Sequence, residues 1–201
     1  AECRTGVCRA DPSRTSGTDP TMNASRWRLD GQLALVTGAS RGIGLATVRE
    51  LAGLGADVLL VARDEAHLEQ VRDELAEEFP RSAMRTFAAD VSEHEQRLEV
   101  FDFMADLGLD LSLLINNVGT NTRKPTLDYS EGEYRRIIET NLISAFEMCR
   151  LAHPQLVQHA NAGIVNVGSV SGMVAVRTGT PYAMSKAALH QMTRNLAAEW
   201  A

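Results

Sequence analysis

LALVTGASRGIG, at residues 33–44, is the stretch that decides the fold of this chain. It joins an apolar run to a glycine-rich turn and the start of a helical pattern, and Gly38, Gly42 and Gly44 follow the spacing G-x-x-x-G-x-G. Because these glycines have no Cβ atoms, the backbone N–H groups of the turn and a helix N-terminus can approach a pyrophosphate closely. The stretch therefore predicts a buried strand, a turn and a helix that bind a dinucleotide; a glycine turn without function is the alternative.

Short apolar runs and segments of helical period alternate along the rest of the sequence. The five apolar runs are LALVT (33–37), DVLLVA (57–62), MRTFAA (84–89), LSLLIN (111–116) and GIVNVG (163–168). Their apolar character is continuous rather than alternating, which is typical of parallel strands that are covered on both faces. This repetition of strand and helix predicts an α/β fold, a doubly wound parallel sheet of the Rossmann-like type.

Five segments carry the start and stop signals of helices. They extend from Gly42 to about Leu54, from the N-cap Asp64 to before Pro80, from a capping box at Ser92–Glu95, from a second capping box at Ser130–Glu133, and from near Pro181 onward. No strand pattern follows the fifth helix, so the GIVNVG run would lie at a bare sheet edge. Because a parallel βαβ unit needs its return strand, we expect that the following strands are missing and the domain is incomplete at its C-terminus.

Composition narrows the class of protein. Residues 1–27 begin with a stretch rich in Arg, Ser, Thr, Pro and Gly that shows no period, so we expect a disordered leader there, before one dinucleotide-binding domain at 28–201. Twenty basic and 26 acidic residues give a net charge of −6, which argues against binding to nucleic acid or an anionic membrane. No apolar run reaches the length of a membrane span, and the histidines lack metal-ligand spacing, so no metal site is predicted. Three scattered cysteines, among them Cys149 as a buried small hydrophobe, favour a reducing, cytoplasmic setting.

Arginines stand where a dinucleotide fold selects between its two nicotinamide cofactors. An acidic residue just after the second strand would bond the ribose 2′-hydroxyl of NAD. Here Arg63 occupies that region and Arg41 lies inside the glycine turn, and two guanidinium groups favour a 2′-phosphate instead. Asp64 comes one position too late and is better explained as a helix N-cap. The sequence therefore favours NADP(H) over NAD(H).

Asn141 interrupts the apolar face of the fourth predicted helix. The inward positions on this face are Tyr134, Ile137, Ile138, Leu142, Ala145 and Met148. An amide buried in a helix interior is costly unless its polar atoms find partners. Asn141 is therefore either a functional residue or a structural one with satisfied hydrogen bonds.

The end of the fifth strand and the fifth helix carry further candidate groups. Ser169 and Ser171 both follow the strand at its carboxyl end, where open α/β sheets bind ligands, so either could be functional. Tyr182 and Lys186 are four positions apart and therefore neighbours on one helix face. A nearby ammonium favours the ionised phenol, which predicts that Tyr182 can exchange a proton near neutral pH. The alternative is a surface pair of amphipathic side chains.

These motifs occur together and in order: TGASRGIG, NNVG (116–119), Asn141, GSVSG and Tyr182-x-x-x-Lys186. The combination resembles the short-chain dehydrogenase/reductase family over about residues 28 to 201. Within that family, LAHPQL (151–156), SVSG and AEWA resemble the tropinone-reductase-like branch. The resemblance implies the strand order 3-2-1-4-5 and a homo-oligomer, a dimer or a tetramer.

The resemblance also implies roles for individual residues. It implies cofactor contacts for Gly38, Ser40, Arg41, Gly42, Ile43 and Gly44 at the pyrophosphate and adenosine ribose, Arg63 at the 2′-phosphate, Asp90 and Val91 beside the adenine, Asn117 and Gly119 near the nicotinamide-side ribose, and Tyr182 and Lys186. It implies a catalytic set of Asn141, Ser169, Tyr182 and Lys186, since the family's serine lies thirteen positions before its tyrosine. In that set Tyr182 is the acid–base group, Lys186 holds the ribose hydroxyls and Asn141 holds a water of the proton relay.

The function that follows is an NADP(H)-dependent oxidoreductase. It would transfer a hydride between the nicotinamide and a small ketone or secondary alcohol. The alternatives are a truncated dinucleotide-binding module without turnover and an inactive fragment. A complete acid–base set favours the enzyme, because a module that only binds a cofactor has no need of one.

Overall fold

All five strands of the sheet run parallel. In the computed structural model, which describes residues 27–201, the strands are β1 (Leu33–Thr37), β2 (Asp57–Ala62), β3 (Met84–Ala88), β4 (Leu111–Asn116) and β5 (Gly163–Asn166). Their order across the sheet is β3-β2-β1-β4-β5, which confirms the predicted doubly wound fold and strand order. Residues 1–26 of the expected leader lie outside the described residues.

Helices cover both faces of this sheet. They are α1 (Gly42–Gly53), α2 (Glu65–Glu78), α3 (His94–Asp106), α4 (Glu131–Ile138), α5 (Ser144–Leu156) and α6 (Thr180–Glu199), with a π-helical segment (Glu139–Ile143) that joins α4 to α5 without a break. The chain turns from β1 outward through β2 and β3, and then crosses back to β4 on the other side of β1. This reversal places a crevice at the carboxyl ends of β1 and β4, the position at which open α/β sheets bind ligands.

Two apolar layers explain why the central strands are apolar along their whole length. Leu35 and Leu59 pack on the layer formed with α3, α5 and α6, whereas Val36 and Leu60 pack on the layer formed with α1 and α2. Successive residues of a strand point to opposite faces, so both sets have to be apolar. Cys149 is fully buried in the first layer, and this burial raises its pKa to about 11. The prediction that it is a buried small hydrophobe is confirmed.

Two predicted helix starts are confirmed by their hydrogen bonds. The Asp64 carboxylate accepts from the His67 N–H at 3.1 Å and caps α2. At the start of α4, the Ser130 hydroxyl accepts from the Glu133 N–H, and the Glu133 carboxylate accepts from the Ser130 N–H at 2.8 Å. These reciprocal bonds satisfy two N–H groups that a helix end would otherwise leave unpaired.

The predicted capping box at Ser92 is wrong. Helix α3 begins at His94, with Glu93 as an N-cap that makes no side-chain hydrogen bond. The N–H and hydroxyl of Ser92 instead donate to the Asp90 carboxylate, at 3.0 and 2.7 Å. The ionised Asp90 carboxylate accepts both of these hydrogen bonds, and hydrogen bonds to an ionised group are the stronger kind. The serine is therefore used in the loop rather than in the cap.

The predicted apolar face of the fourth helix is only partly correct. Ile137 and Asn141 are buried as expected, but Tyr134 is 39% exposed. Ala145 and Met148, on α5, are also buried as expected. Between α4 and α5 the segment Glu139–Ile143 forms a π turn, which contains one residue more than an α turn. Such turns often occur at functional sites, and this one contains Asn141.

Candidate active site

The glycine turn brings α1 unusually close to the end of β1. A Cβ atom added to Gly44 would lie 2.1 Å from the Gly38 carbonyl oxygen and 2.6 Å from Asn117 Nδ2. Gly42 has open space around it but a φ of +58°, a conformation that other residues rarely adopt. One glycine is therefore required for close approach and the other for the backbone turn. Together they leave the helix N-terminus accessible to an anion.

Hydrogen bonds connect the carboxyl ends of β1 and β4 beneath this turn. Thr37 Oγ1 accepts from the N–H groups of Asn117 and Val118, at 3.0 and 3.3 Å. Asn117 Nδ2 donates in turn to the carbonyl oxygens of Thr37 and Gly38, at 3.0 and 3.2 Å. Asn117 thus braces the glycine turn with its side chain. Sequence reasoning missed Thr37, although a hydroxyl at the end of an apolar strand was a usable signal.

A cleft of about 810 Å³ opens at the carboxyl ends of the strands. Eight predicted cofactor residues line it, namely Gly38, Ser40, Arg41, Arg63, Asp90, Val91, Asn117 and Gly119. His67, Thr120, Arg136 and Thr140 also line it and were not predicted. Gly42, Ile43 and Gly44, together with Tyr182 and Lys186, do not line this cleft. Its size suits a small-molecule or cofactor ligand.

Charged side chains surround one end of the cleft. Arg63 Nη1 lies 3.6 Å from Asp90 Oδ2, and the Arg63 side chain is 62% exposed. Partial burial raises the pKa of Asp90, but the hydrogen bonds from Ser92 and the nearby Arg63 outweigh this and hold its pKa below the ordinary value. Arg41 is exposed in the glycine turn. Two guanidinium groups are therefore available to an anionic ligand at this end.

A buried arginine connects the wall of the cleft to the π-helical segment. Arg97 is 3% exposed, and its Nη1 donates to the Val91 carbonyl oxygen at 2.7 Å. The same Nη1 lies 3.5 Å from Glu139 Oε1, at the first residue of the π-helical segment. A buried charge of this kind needs both partners. Arg97 thereby fixes Val91 relative to the helix that carries Asn141.

Asn141 is 1% exposed and joins three elements of the structure. Its Oδ1 accepts from the Thr120 N–H at 2.7 Å, and its Nδ2 donates to the Thr120 carbonyl oxygen at 2.9 Å and to Ser185 Oγ at 3.0 Å. Both N–H donors of the amide are used by these bonds. The side chain can therefore bind a water molecule only by accepting a hydrogen bond from it at Oδ1. The partners, 21 and 44 residues away, were not predicted.

Replacement of Asn141 by Leu should lower the free energy of unfolding by about 2–4 kcal/mol, because it leaves buried partners unpaired on Thr120 and Ser185. Urea denaturation followed by circular dichroism measures the difference. Ser185→Ala is the matched control, since it removes only one of the three Asn141 bonds, together with the bond from Ser185 Oγ to the Tyr182 carbonyl oxygen, and should cost about 1–2 kcal/mol. Equal losses in the two variants would show that the amide does not hold these elements together.

Lys186 lies at the junction of β5, α6 and the loop after β4. It is 4% exposed, and its Nζ donates to the Val167 carbonyl oxygen at 2.7 Å. Burial lowers the pKa of its ammonium group. Nζ also lies 3.5 Å from the point where a Gly119 Cβ would be and 5.9 Å from the centre of the Tyr182 ring. Within residues 27–201, one of the three N–H groups of Lys186 donates to Val167, so two are available to a ligand.

The two candidate serines lie side by side against α6. Ser169 Oγ accepts from the Ser171 N–H at 3.2 Å, and the two hydroxyl oxygens are 3.0 Å apart. The Ser169 N–H donates to His190 Nε2 at 3.4 Å. A Cβ on Gly168 would lie 2.2 Å from the same nitrogen, so the His190 ring packs directly against the backbone of this segment. No signal in the sequence indicated His190.

Comparison with known proteins shows the family of this chain. Residues 32–201 match the family described as short chain dehydrogenase. The chain belongs to the short-chain dehydrogenase family. Members of this family are oxidoreductases that bind a nicotinamide dinucleotide and act on small molecules.

Similar proteins place this short-chain dehydrogenase in the tropinone-reductase-like branch, as predicted. Senescence-associated protein 13 of Arabidopsis thaliana is 44% identical over 179 residues, which are 88% of this chain and 65% of that protein. A chloroplastic tropinone reductase homolog of the same plant is 41% identical over 193 residues, 94% of this chain and 59% of that protein. The chain therefore spans less than two thirds of the length of these two curated relatives.

A solved structure supports the fold of this short-chain dehydrogenase. The gluconate 5-dehydrogenase from Burkholderia cenocepacia J2315, in complex with NADP and tartrate, superposes with a TM-score of 0.82 at 29% identity and covers 89% of this chain and 69% of that one. Along the described part of the chain, no helix has both the length and the apolar sequence needed to cross a membrane. Residues 27–201 also contain no group of three or more His, Cys, Asp or Glu side chains placed to hold a metal ion.

Proposed function

We propose that this short-chain dehydrogenase transfers a hydride between NADP(H) and a small ketone or secondary alcohol, with Tyr182 as the acid–base group. The observation that carries the proposal is the buried ammonium of Lys186, which has two N–H donors unused among the described residues and lies beside both Tyr182 and Gly119. A buried cation is costly to maintain. It is retained here next to the Tyr182 phenol and beside Gly119, which lines the cleft, so it can act on both the phenol and a bound cofactor.

The shape of the glycine turn fits a dinucleotide. At Gly44 and Gly38 an added Cβ would collide with the turn itself or with Asn117, so only glycine leaves the cradle intact. The exposed Ile43, at 65%, offers an apolar surface for the cofactor to cover. A bound nicotinamide dinucleotide would supply or accept the hydride. NADP in the complex of the gluconate 5-dehydrogenase relative supports the choice of cofactor.

In the direction of carbonyl reduction, Tyr182 donates a proton to the substrate oxygen. The Ser169 hydroxyl, which can receive a hydrogen bond from the Ser171 hydroxyl, is free to donate to the same oxygen as negative charge develops there. Lys186 holds the ribose hydroxyls with its remaining N–H groups. Asn141 holds Thr120 in place beside Gly119. Its Oδ1 also accepts a hydrogen bond from a water molecule, and this water links Lys186 to solvent.

Removal of the Arg41 and Arg63 charges should abolish the preference for NADPH over NADH. Each arginine should contribute about tenfold to NADPH affinity through a charge-assisted hydrogen bond to the 2′-phosphate, and nothing to NADH affinity. Fluorescence titration of Arg41→Ala, Arg63→Ala and the double variant with both nucleotides measures the ratio. Arg72→Ala is the control, because Arg72 pairs with Glu69 and Asp73 on α2. An unchanged ratio in the double variant would exclude a 2′-phosphate site between these arginines.

We also propose that the complete enzyme is a cytoplasmic homo-oligomer, a dimer or a tetramer, that associates through the helices around Asn141 and Tyr182. Phe146 on α5 and Met184 on α6 support this, since both apolar side chains are exposed, at 37% and 57%. A contiguous patch of exposed apolar side chains is typical of a surface that another subunit covers.

A further inference from the structure

The first turn of α3 binds the loop between β3 and α3 at two consecutive residues. Gln96 Oε1 accepts from the Asp90 N–H at 2.7 Å, and Arg97 Nη1 donates to the Val91 carbonyl oxygen at 2.7 Å. Asp90 and Val91 both line the cleft, whereas Gln96 and Arg97 do not. The two side chains of α3 therefore hold this wall of the cleft from outside it.

The backbone of Asp90 and Val91 has four polar groups, and three of them are bound within the protein. The Asp90 N–H and the Val91 carbonyl oxygen are bound by α3, and the Asp90 carbonyl oxygen accepts from the Glu93 N–H at 2.9 Å. Among residues 27–201, the Val91 N–H has no such partner, although Val91 is only 3% exposed. Nearly all buried N–H groups of native proteins are paired, so this one is available to a ligand in the cleft.

Stability alone does not account for a buried arginine at this place. Arg97 is 3% exposed, and its Nη1 faces Glu139 Oε1 at 3.5 Å. A buried ion pair contributes little to stability compared with apolar side chains of similar volume. The planar guanidinium group does fix the acceptors that it binds in defined positions. The position of Val91 is therefore a better explanation for Arg97 than stability is.

We propose that Gln96 and Arg97 are positioning residues for the adenine half of the cofactor, and that they act by fixing the backbone of Asp90 and Val91. The inference rests on the proposed nicotinamide dinucleotide cofactor. It adds two residues outside the cleft to those that determine cofactor affinity. NADP(H) and NAD(H) contain the same adenine base, so both depend on these two side chains to the same degree. The ratio of the two affinities is unaffected.

Titration calorimetry of the full chain with NADP⁺, NAD⁺ and adenosine 2′,5′-bisphosphate tests the proposal. The bisphosphate contains the adenine half of NADP⁺ without the nicotinamide. Gln96→Leu leaves the Asp90 N–H without its acceptor, and it should weaken binding of all three ligands by one common factor of about threefold to tenfold. Arg97→Met leaves the Val91 carbonyl oxygen without its donor and should weaken all three by about tenfold or more.

Gln155→Leu is the matched control. Gln155 Oε1 makes the same kind of bond, since it accepts from the Leu111 N–H at 2.9 Å, but Leu111 begins β4 at the end of the sheet opposite the cleft. The control should lower the free energy of unfolding in urea about as much as Gln96→Leu does, and it should change none of the three affinities. Equal losses of affinity in the two variants would overturn the proposal in favour of general destabilisation.

The remaining outcomes separate this inference from the proposed cofactor. Unchanged affinities in Gln96→Leu, with a wild type that binds NADP⁺, would overturn this inference alone. A loss for the two dinucleotides without a loss for the bisphosphate would also overturn it, because the effect would then lie outside the adenine half. Gln96→Leu replaces a neutral side chain and decides the question even where Arg97→Met fails to fold. A wild type that binds none of the three ligands would overturn the proposed cofactor, and this inference with it.

Discussion

Tyr182→Phe should lower kcat by about a thousandfold or more while NADPH affinity changes by less than a few-fold. The substitution removes one hydroxyl group, which in the proposed mechanism donates the proton to the substrate oxygen. General acid catalysis by a positioned side chain contributes about a hundredfold to ten-thousandfold. The aromatic ring beside Lys186 remains, so binding of the cofactor should not depend on the change. Turnover of NADPH with a panel of small ketones, and fluorescence titration with NADPH, measure the two quantities separately.

The matched control is Tyr134→Phe. This tyrosine is exposed on α4, outside the cleft, and loss of its hydroxyl should alter neither rate nor binding. A parallel loss of rate and of affinity in Tyr182→Phe would contradict a role as proton donor, because it would indicate a distorted site. Saturable NADPH binding by the wild type, without turnover of any ketone, would instead favour the cofactor-binding module.

Gly44→Ala should reduce NADPH affinity by about a hundredfold or more and lower the free energy of unfolding by about 1–3 kcal/mol. The new Cβ would lie 2.1 Å from the Gly38 carbonyl oxygen, a backbone atom that cannot rotate away. Helix α1 would have to move back from β1, and its N-terminal N–H groups would no longer face the pyrophosphate. Fluorescence titration and thermal denaturation measure the two effects.

Gly53→Ala is the control within the same helix. The nearest atom to its added Cβ is Phe79 Cε1 at 3.6 Å, an ordinary van der Waals contact. Alanine is favoured over glycine in a helix by about 0.5–1 kcal/mol, so this variant should be as stable as the wild type or slightly more so. Unchanged NADPH binding by Gly44→Ala would show that the close approach of α1 to β1 is not what forms the cradle.

The sequence predicted elements well where the signal is local. Strand bounds agree to within two residues, because buried parallel strands are apolar throughout, and Asp64 and Ser130 were recognised as caps from their immediate neighbours. Prediction failed where two nearby groups compete for one partner. Ser92 is bonded to Asp90 rather than to its helix. Regular apolar spacing also placed Tyr134 on the buried face, whereas its side chain is 39% exposed.

The sequence by itself determined the layered α/β fold, the glycine turn and the chemistry available to the site. Periodicity and glycine spacing are properties of neighbouring residues, so no packing has to be known to use them. Only the tertiary structure decided which groups meet. Asn141 bonds Ser185 across 44 positions, His67 reaches Ser40 across 27, and Ser169 meets His190 across 21. Such pairs depend on how whole helices pack against the sheet, and the choice among possible partners is made by distances that no local pattern encodes.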